Sequence, residues 1–500
     1  MEIKLNKSSV SYYSKVLDIE FSREETSENI VPDTLPDIAE IIDADGMAIL
    51  RGKDLSDGRI SISGMVFGYI LYRSEDGGVI RMPVQLPMAA HWDNSAVSQS
   101  CRSVVKLSVS SFEGRIINSR KLLIRAEIAI SAVIYHMESC EYTHGAECSQ
   151  LELLNDVVKF SHVSSVGERT FTISEELQLP PSKPQIVNVL KYRANLCCSE
   201  VKAVGSRLVV KGNAQLYLVY KGDGGDELCG AEFTVPFSQI YDTDSENDIT
   251  ASNAALMITG IYVEANEVSG EPTNKIRIEI GAVAQFCAWS ESSINCLCDA
   301  YSTRNEISMN LLSTKIKESK IKDNSQASVS VLLNIAAQPK NIIDAYAYMG
   351  KQRAENDVFI WPITARVIYE NDDGKVFAAS GNCELKCNAE YGVHIDVAVD
   401  EVAAKSVSGG IELNISAKYL TINEDEIGFA TPDEIVINDE CEKDISKSPS
   451  VVVFKADGNT SLWSMAKQFN TTIETIKEAN ADVWEGIPQK GMLLLIAKKR

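Results

Sequence analysis

Histidine is scarce in this chain, at five in 500 residues. General acid–base catalysis draws on groups that titrate near neutrality, so few bases are available to recruit. The common enzyme motifs are missing too: no Gly-rich phosphate loop, no G-x-S-x-G and no H-E-x-x-H occurs. No apolar run approaches the ~18 residues that a membrane span requires. The first residues, MEIKLNKSSV, lack the apolar h-region of a secretory signal. Positive charge is in the minority, with 48 Lys and Arg against 70 Asp and Glu and a net −22, which argues against nucleic acid and anionic lipid as main ligands. These absences leave the expectation of a protein that is no enzyme, needs no cofactor, does not span a membrane and stays in the compartment where it is made.

What is present describes an ordinary globular chain, 45% hydrophobic and 24% charged, long enough for about three to four domains. Twelve cysteines, several adjacent or on apolar strands, fit buried thiols in a reducing cytosol better than a disulfide framework. The charge is uneven. Residues 451–500 hold seven Lys/Arg and five Asp/Glu, a balance of +2, so residues 1–450 carry −24.

The first 440 residues or so read as one unit three times. In GRISISGMVFGYILYRSEDG, Ile60, Ile62, Val66, Ile70 and Tyr72 alternate onto one face. SRLVVKGNAQLYLVYKGDGG does the same with Leu208, Val210, Ala214, Leu216, Leu218 and Tyr220, and NDVFIWPITARVIYENDDGK with Phe359, Trp361, Ile363, Ala365, Val367 and Tyr369. Each run ends in a tyrosine, Tyr72, Tyr220 and Tyr369 lying 148 and 149 residues apart, and each enters an Asp-Gly turn: Asp76-Gly77, Asp223-Gly224, Asp373-Gly374. Alternation into Asp-Gly is a strong hairpin signal. A second alternating strand closes each unit, around Leu122–Ile134, Ile276–Ala282 and Ile411–Ala417. One apolar and one polar face predicts antiparallel sheets packed as sandwiches or open barrels.

Proline marks the early part of each unit (Pro32 and Pro36; Pro180, Pro181 and Pro184; Pro339). The segments that follow, DIAEIIDADG, QIVNVLKYRA and KNIIDAYAYMG, read as short helices or strands, and in the first Ile38, Ile41 and Ile42 have helical spacing. Linkers are expected near Cys140–Gln150, Ser290–Asp299 and Asn438–Ser450. The predicted fold class is mainly β: three tandem antiparallel sandwich-like repeats over 1–140, 150–292 and 300–438, a linker over 439–450, and a small α+β module over 451–497.

That last module is sharply patterned. Val451–Phe454 is a β-branched apolar run ending near a Gly458-Asn459 turn. Leu462, Met465, Ala466 and Phe469 then form one helical face, and Ile473, Ile476 and Ala479 a second, with Thr471 or Thr472 as the N-cap. Gly491 leads into the apolar Met492–Ile496. The predicted order is strand, helix, helix, strand (βααβ).

Gly458, Thr460, Leu462, Trp463, Met465, Ala466, Phe469, Ile476, Asn480, Ile487, Gly491, Leu493 and Leu495 together resemble the LysM module. EETSENIVPDTLPDIAEIIDADG, with the hairpin strand after it, is similar to the SPOCS domain of endospore-forming bacteria. Tandem SPOCS repeats ending in one LysM module is the layout of a family of spore coat morphogenetic proteins. The resemblance implies a sporulation scaffold in the mother-cell cytosol at the forespore surface, with a SpoIVA-like spore coat ATPase as protein partner. The LysM family's better-known ligand, the N-acetylglucosamine polymer of peptidoglycan, is the alternative. The implied groove is lined by Gly458, Asn459, Thr460, Ser461 and Leu462 on one side and Asn480, Ala481, Asp482 and Ile487 on the other. Trp463 beside it either packs inward or presents an aromatic anchor. The family's Gly-Asp-Thr-Leu is here Gly458-Asn459-Thr460-Ser461-Leu462, one residue longer and without the acidic side chain, which shifts the expectation from sugar to protein.

One set of metal-ligand types remains. His136, Cys140, His144 and Cys148 are spaced by four, which on a helix would line one side. A single helix spreads such ligands along its axis, and Gly145 weakens it, so the reading is a linker that happens to hold them. His91, His136, His144 and His162 are expected in turns or linkers.

Overall fold

The computed structural model describes residues 2–225, 227–265, 271–355, 358–388, 394–443, 449–480 and 487–497. The protein is mainly β, and one six-strand pattern recurs three times. The first repeat holds β1 (Leu5–Ile30), β2 (Ile38–Ser56), β3 (Arg59–Ser74), β4 (Val79–Asp93), β5 (Arg102–Asn118) and β6 (Lys121–Ala146). The second holds β7 (Leu151–Gln178), β8 (Ile186–Val204), β9 (Arg207–Gly222), β10 (Leu228–Asp242), β11 (Ile249–Glu264) and β12 (Lys275–Ser302). The third holds β13 (Asn305–Leu333), β14 (Pro339–Met349), the short β15 (Arg353–Glu355), β16 (Val358–Asn371), β17 (Val376–Asn388), β18 (His394–Val407) and β19 (Gly410–Glu442).

Each repeat is a sandwich. The sheets β2-β3-β4, β8-β9-β10 and β14-β16-β17 cover, in turn, β1-β6-β5, β7-β12-β11 and β13-β19-β18, with β15 also paired to β16. The alternating residues face inward as their pattern requires: Leu122, Ile124, Ala126, Ile128 and Ile130, then Ile276, Ile278, Ile280 and Ala282, then Ile411, Leu413, Ile415 and Ala417 are all 0% exposed. The terminal tyrosines have a common task. The Tyr72 and Tyr220 hydroxyls donate to Pro36 O (2.9 Å) and Pro184 O (3.0 Å), and that of Tyr369 accepts from Ala336 N (3.0 Å), so each pins the proline block to its hairpin.

The segments after the prolines, open to helix or strand in the sequence, are strands, and the helical spacing of Ile38, Ile41 and Ile42 does not make a helix. Register shifts fall between Ile41 and Asp43, Val189 and Lys191, and Ile342 and Asp344, at the same place in all three repeats. A bulge adds one residue and flips the inside–outside alternation, so isoleucines on a bulged strand acquire helical spacing. The segments read as linkers are also mostly strand. β6 runs on through Cys140 to Ala146, β12 carries all of Ser290–Asp299, and β19 continues to Glu442, while 444–448 lie outside the described residues. Their polar residues are the outer half of an alternation: Ile294 and Cys296 are buried while Ser293 and Asn295 are exposed.

Those extensions build a second body. Beyond bulges at Lys15/Leu17, Ala288/Trp289 and Ile321/Asp323, the first and last strands of each repeat leave the sandwich as a two-stranded ribbon. The three ribbons pack on one another through Tyr12, Cys140, Phe160, Ile294 and Ile316, and beyond them through Ile3, Leu151, Leu297 and Ile435. We call this the stalk and the three sandwiches the head.

The head closes on itself. β11 of the second repeat lies on β2 of the first, and β5 of the first lies on β14 of the third. The third contact of the same kind brings β18 to β8, where Asn195 Nδ2 donates to Val399 O (3.4 Å). Equivalent residues meet on the resulting pseudo-threefold axis: Leu71, Val219 and Ile368 with Val79, Leu228 and Val376 in one apolar cluster, and Tyr135, Trp289 and Ile422 in another.

Candidate functional site

The chain ends in β20 (Val451–Lys455), α1 (Leu462–Phe469), α2 (Ile473–Ala479) and β21 (Leu493–Ala497). β20 and β21 pair antiparallel with Val453 opposite Leu495. Alternation sends Val452, Phe454, Leu494 and Ile496 onto the helices, where they pack with Met465, Ala466 and Ile476. The other side of the sheet is aliphatic as well. Val451, Val453, Leu493 and Leu495 are 53%, 62%, 65% and 46% exposed. A two-stranded sheet normally turns one polar face to water; here that face is mainly aliphatic, with the exposed Lys455 opposite Leu493 at its end.

The loop before α1 is self-contained. Asp457 Oδ1 accepts from Asn459 N and Thr460 N (both 2.8 Å), and its Oδ2 accepts from the Thr460 hydroxyl (2.9 Å). These donors hold its carboxyl below the usual range. Gly458 turns the chain with φ +84°, which a side chain rarely adopts. Ser461 then caps α1, its Oγ accepting from Ser464 N at 3.1 Å. Thr460 thus serves the Asp457 turn and Ser461 serves the helix.

Of the expected groove residues, Asn459 and Ile487 are exposed, and Gly458, Thr460 and Ser461 are partly so. Leu462 is a core residue, 3% exposed. Asn480 is consumed by the fold: its Nδ2 donates to Ile476 O and Leu495 O (both 2.7 Å) and its Oδ1 accepts from Leu495 N (2.8 Å), clipping α2 to β21. Thr471 is buried, and Thr472 is the N-cap of α2. Ala481 and Asp482 lie outside the described residues.

Trp463 packs inward, against another domain. Its ring meets Tyr301 edge-on at 4.8 Å, and its Nε1 donates to Asp299 Oδ2 (2.8 Å). Lys467 Nζ reaches the same carboxylate at 2.7 Å, and the Tyr301 hydroxyl donates to Thr471 O (2.8 Å). Lys443 Nζ bridges Ser302 O and Asn470 Oδ1, both at 2.8 Å. The module therefore sits on the stalk end of β12 by its α1 side, leaving the aliphatic sheet outward. Nothing local in the sequence links Trp463 to Asp299, 164 residues away.

The metal-ligand types do not converge. His136, Cys140 and His144 lie on strand β6, not on a helix or in a linker, where a four-residue step is ~13 Å. Cys148 follows in the turn before β7. His91 and His162 are on strands too. Among the described residues no group of three or more His, Cys, Asp or Glu could hold a metal ion. Burial raises the Cys140 thiol and lowers His162 to about 4. Among the described residues no helix is long and apolar enough to cross a membrane. No family model, curated protein or solved structure matches the chain.

Proposed function

We propose that this protein is a non-enzymatic adaptor of spore coat assembly, which presents its C-terminal module to a protein partner from a head-and-stalk scaffold. The observation that carries this reading is the outward sheet face of Val451, Val453, Leu493 and Leu495. Exposed aliphatic clusters mark protein contact surfaces, and covering one such side chain contributes about 1.5–3 kcal/mol. Glycan recognition draws instead on aromatic stacking and convergent polar groups. Among the described residues of the module no aromatic side chain is exposed, and Trp463 and Asn480 are already engaged. The partner's identity rests on the resemblance to tandem-SPOCS, LysM-ending proteins such as SipL, which suggests a SpoIVA-like coat ATPase at the forespore surface in the mother-cell cytosol.

The test removes residues 449–500. The truncated protein is expected to stay folded and to lose the ATPase in a pull-down, while the full chain fails to co-sediment with purified peptidoglycan. Full-strength capture by the truncated protein would move docking to the repeats. Co-sedimentation of the full chain would instead support a wall or cortex binder.

A further inference from the structure

At the centre of the head lies a buried ionic hub. Lys191 Nζ is 3.0 Å from Asp43, 2.8 Å from Asp45 and 2.9 Å from Asp344, and these four side chains are at most 5% exposed. Arg193 pairs with Asp344 at 3.1 Å, and Arg366 donates to Ala44 O at 2.8 Å beside Asp43. The Tyr346 and Tyr348 hydroxyls donate to Asp43 (2.7 Å) and Asp45 (2.6 Å), and the Tyr346 ring lies 4.1 Å from the Lys191 ammonium. Burial opposes the charges of Lys191, Arg193, Arg366 and Asp344. Neighbours of opposite sign overcome it, keeping the Lys191 pKa raised and holding Asp344 down to about 2.

The sources of the charges follow the repeats. Asp43, Lys191 and Asp344 occupy one equivalent position, the residue after the bulge that all three repeats share, and Asp45, Arg193 and Tyr346 stand two residues further on. The first repeat thus brings two negative charges, the second two positive, and the third, through Asp344 and Arg366, one of each. The ring of one, two and three is neutral. Any ring that duplicates a repeat buries uncompensated charge, three third repeats excepted.

Steric fit removes that exception. A Cβ on Gly230 in β10 would stand 1.9 Å from Ile343 O of β14. The equivalent residues are Arg81 in β4 and Ala378 in β17, opposite Leu71 and Ile368 as Gly230 is opposite Val219. Neither a first nor a third repeat fits where the second meets the third.

We infer that the hub, with Gly230, is an identity code that lets the ring close only from one each of the first, second and third repeats, and so bars oligomers whose rings take the same repeat from two copies of this chain. Swapping a buried ion pair for apolar side chains is often neutral or stabilising, whereas stranding one charge is costly. The hub is therefore better understood as selecting partners than as adding stability. The closed ring also differs from an open heterologous contact, which would propagate into fibres.

The full-length protein with Asp43→Lys and Lys191→Asp tests this. The pair keeps the hub neutral but makes every repeat neutral, erasing the charge part of the code and leaving Gly230 in place. Donor-labelled and acceptor-labelled copies are unfolded, mixed and refolded together. The unaltered chain is expected to return as monomers without energy transfer, and the swapped chain to show a several-fold rise in mixed oligomers. A milder pair, Asp45→Asn with Arg193→Gln, leaves smaller charge differences between repeats and decides the matter should the swap fail to refold; it is expected to mix to an intermediate extent. Refolding of the folded variants to the same monomer fraction as the unaltered chain would overturn the inference, as would free mixing by the unaltered chain.

Discussion

The head and the C-terminal module treat polarity in opposite ways. In the head, charged residues of three repeats are driven into the interior, where Lys191 is 1% exposed, and the apolar surfaces are used between repeats. In the module, four aliphatic side chains of a two-stranded sheet face water. A closed ring has no use for an exposed apolar face, and a docking tip requires one. On the proposed function, the same contrast separates a body whose contacts are internal from one that docks a partner.

The sharpest way to break the comparison is inside the head. Lys191→Met strands Asp43, Asp45 and Asp344 without their shared cation, and removing one member of a buried ionic group costs about 3–5 kcal/mol. Chemical denaturation of the full chain should show that loss. A change below about 1 kcal/mol would mean that the hub is hydrated or loosely held.

A smaller effect is expected at the joint between the two bodies. Asp299 accepts from both Trp463 and Lys467. Asp299→Ala removes both bonds, and hydrogen bonds to a charged group contribute about 1.5–3 kcal/mol, less where solvent reaches them as it does at Lys467. Hydrogen exchange should quicken in α1 with no change in the head. Unchanged α1 protection would show that Tyr301 and Lys443 hold the module without this carboxylate.

The stalk offers a pH handle. His162 is 1% exposed, beside Tyr12 and Phe160, and burial lowers it from 6.5 to about 4. Between those values the unfolded chain binds a proton that the folded chain does not. Stability therefore rises with pH across that window and is lost as pH falls from 6.5 towards 4. His162→Gln should flatten this slope in thermal melts; an equally steep slope would assign it to the carboxylates.

Much of the head was legible in sequence because the signal is local. Ile60–Tyr72 and its two counterparts alternate within one strand, and Asp76-Gly77 turns within four residues. The bulge at Ile41/Asp43 was not, since one added residue makes a strand imitate a helix. Ser290–Asp299 reads as a polar linker because a ribbon buried on one side shows as many polar residues as a loop. The hub escaped for another reason: Asp43, Lys191 and Asp344 lie about 150 residues apart and mean nothing singly. In the module, the order of elements and Gly458 follow from spacing and turn chemistry. The destination of Trp463 does not, because its partners Asp299 and Tyr301 belong to another repeat. The aliphatic outer face was written in the run Val451–Phe454, where unbroken apolar character stands in place of alternation.

The smallest expected effect on stability comes from the substitutions that bear most directly on the proposed function. Val453 and Leu495 face each other on the exposed side of the module, so Val453→Asp with Leu495→Asp should change the unfolding free energy by only about 0.5 kcal/mol per site. Titrating the SpoIVA-like ATPase with the full-length protein and with this double variant tests the central claim most directly. The account predicts at least a tenfold loss of affinity, about 1.4 kcal/mol, with the head and stalk intact. Equal affinity of the two proteins, or an equal loss from changes at Asn459 and Ile487 alone, would contradict it.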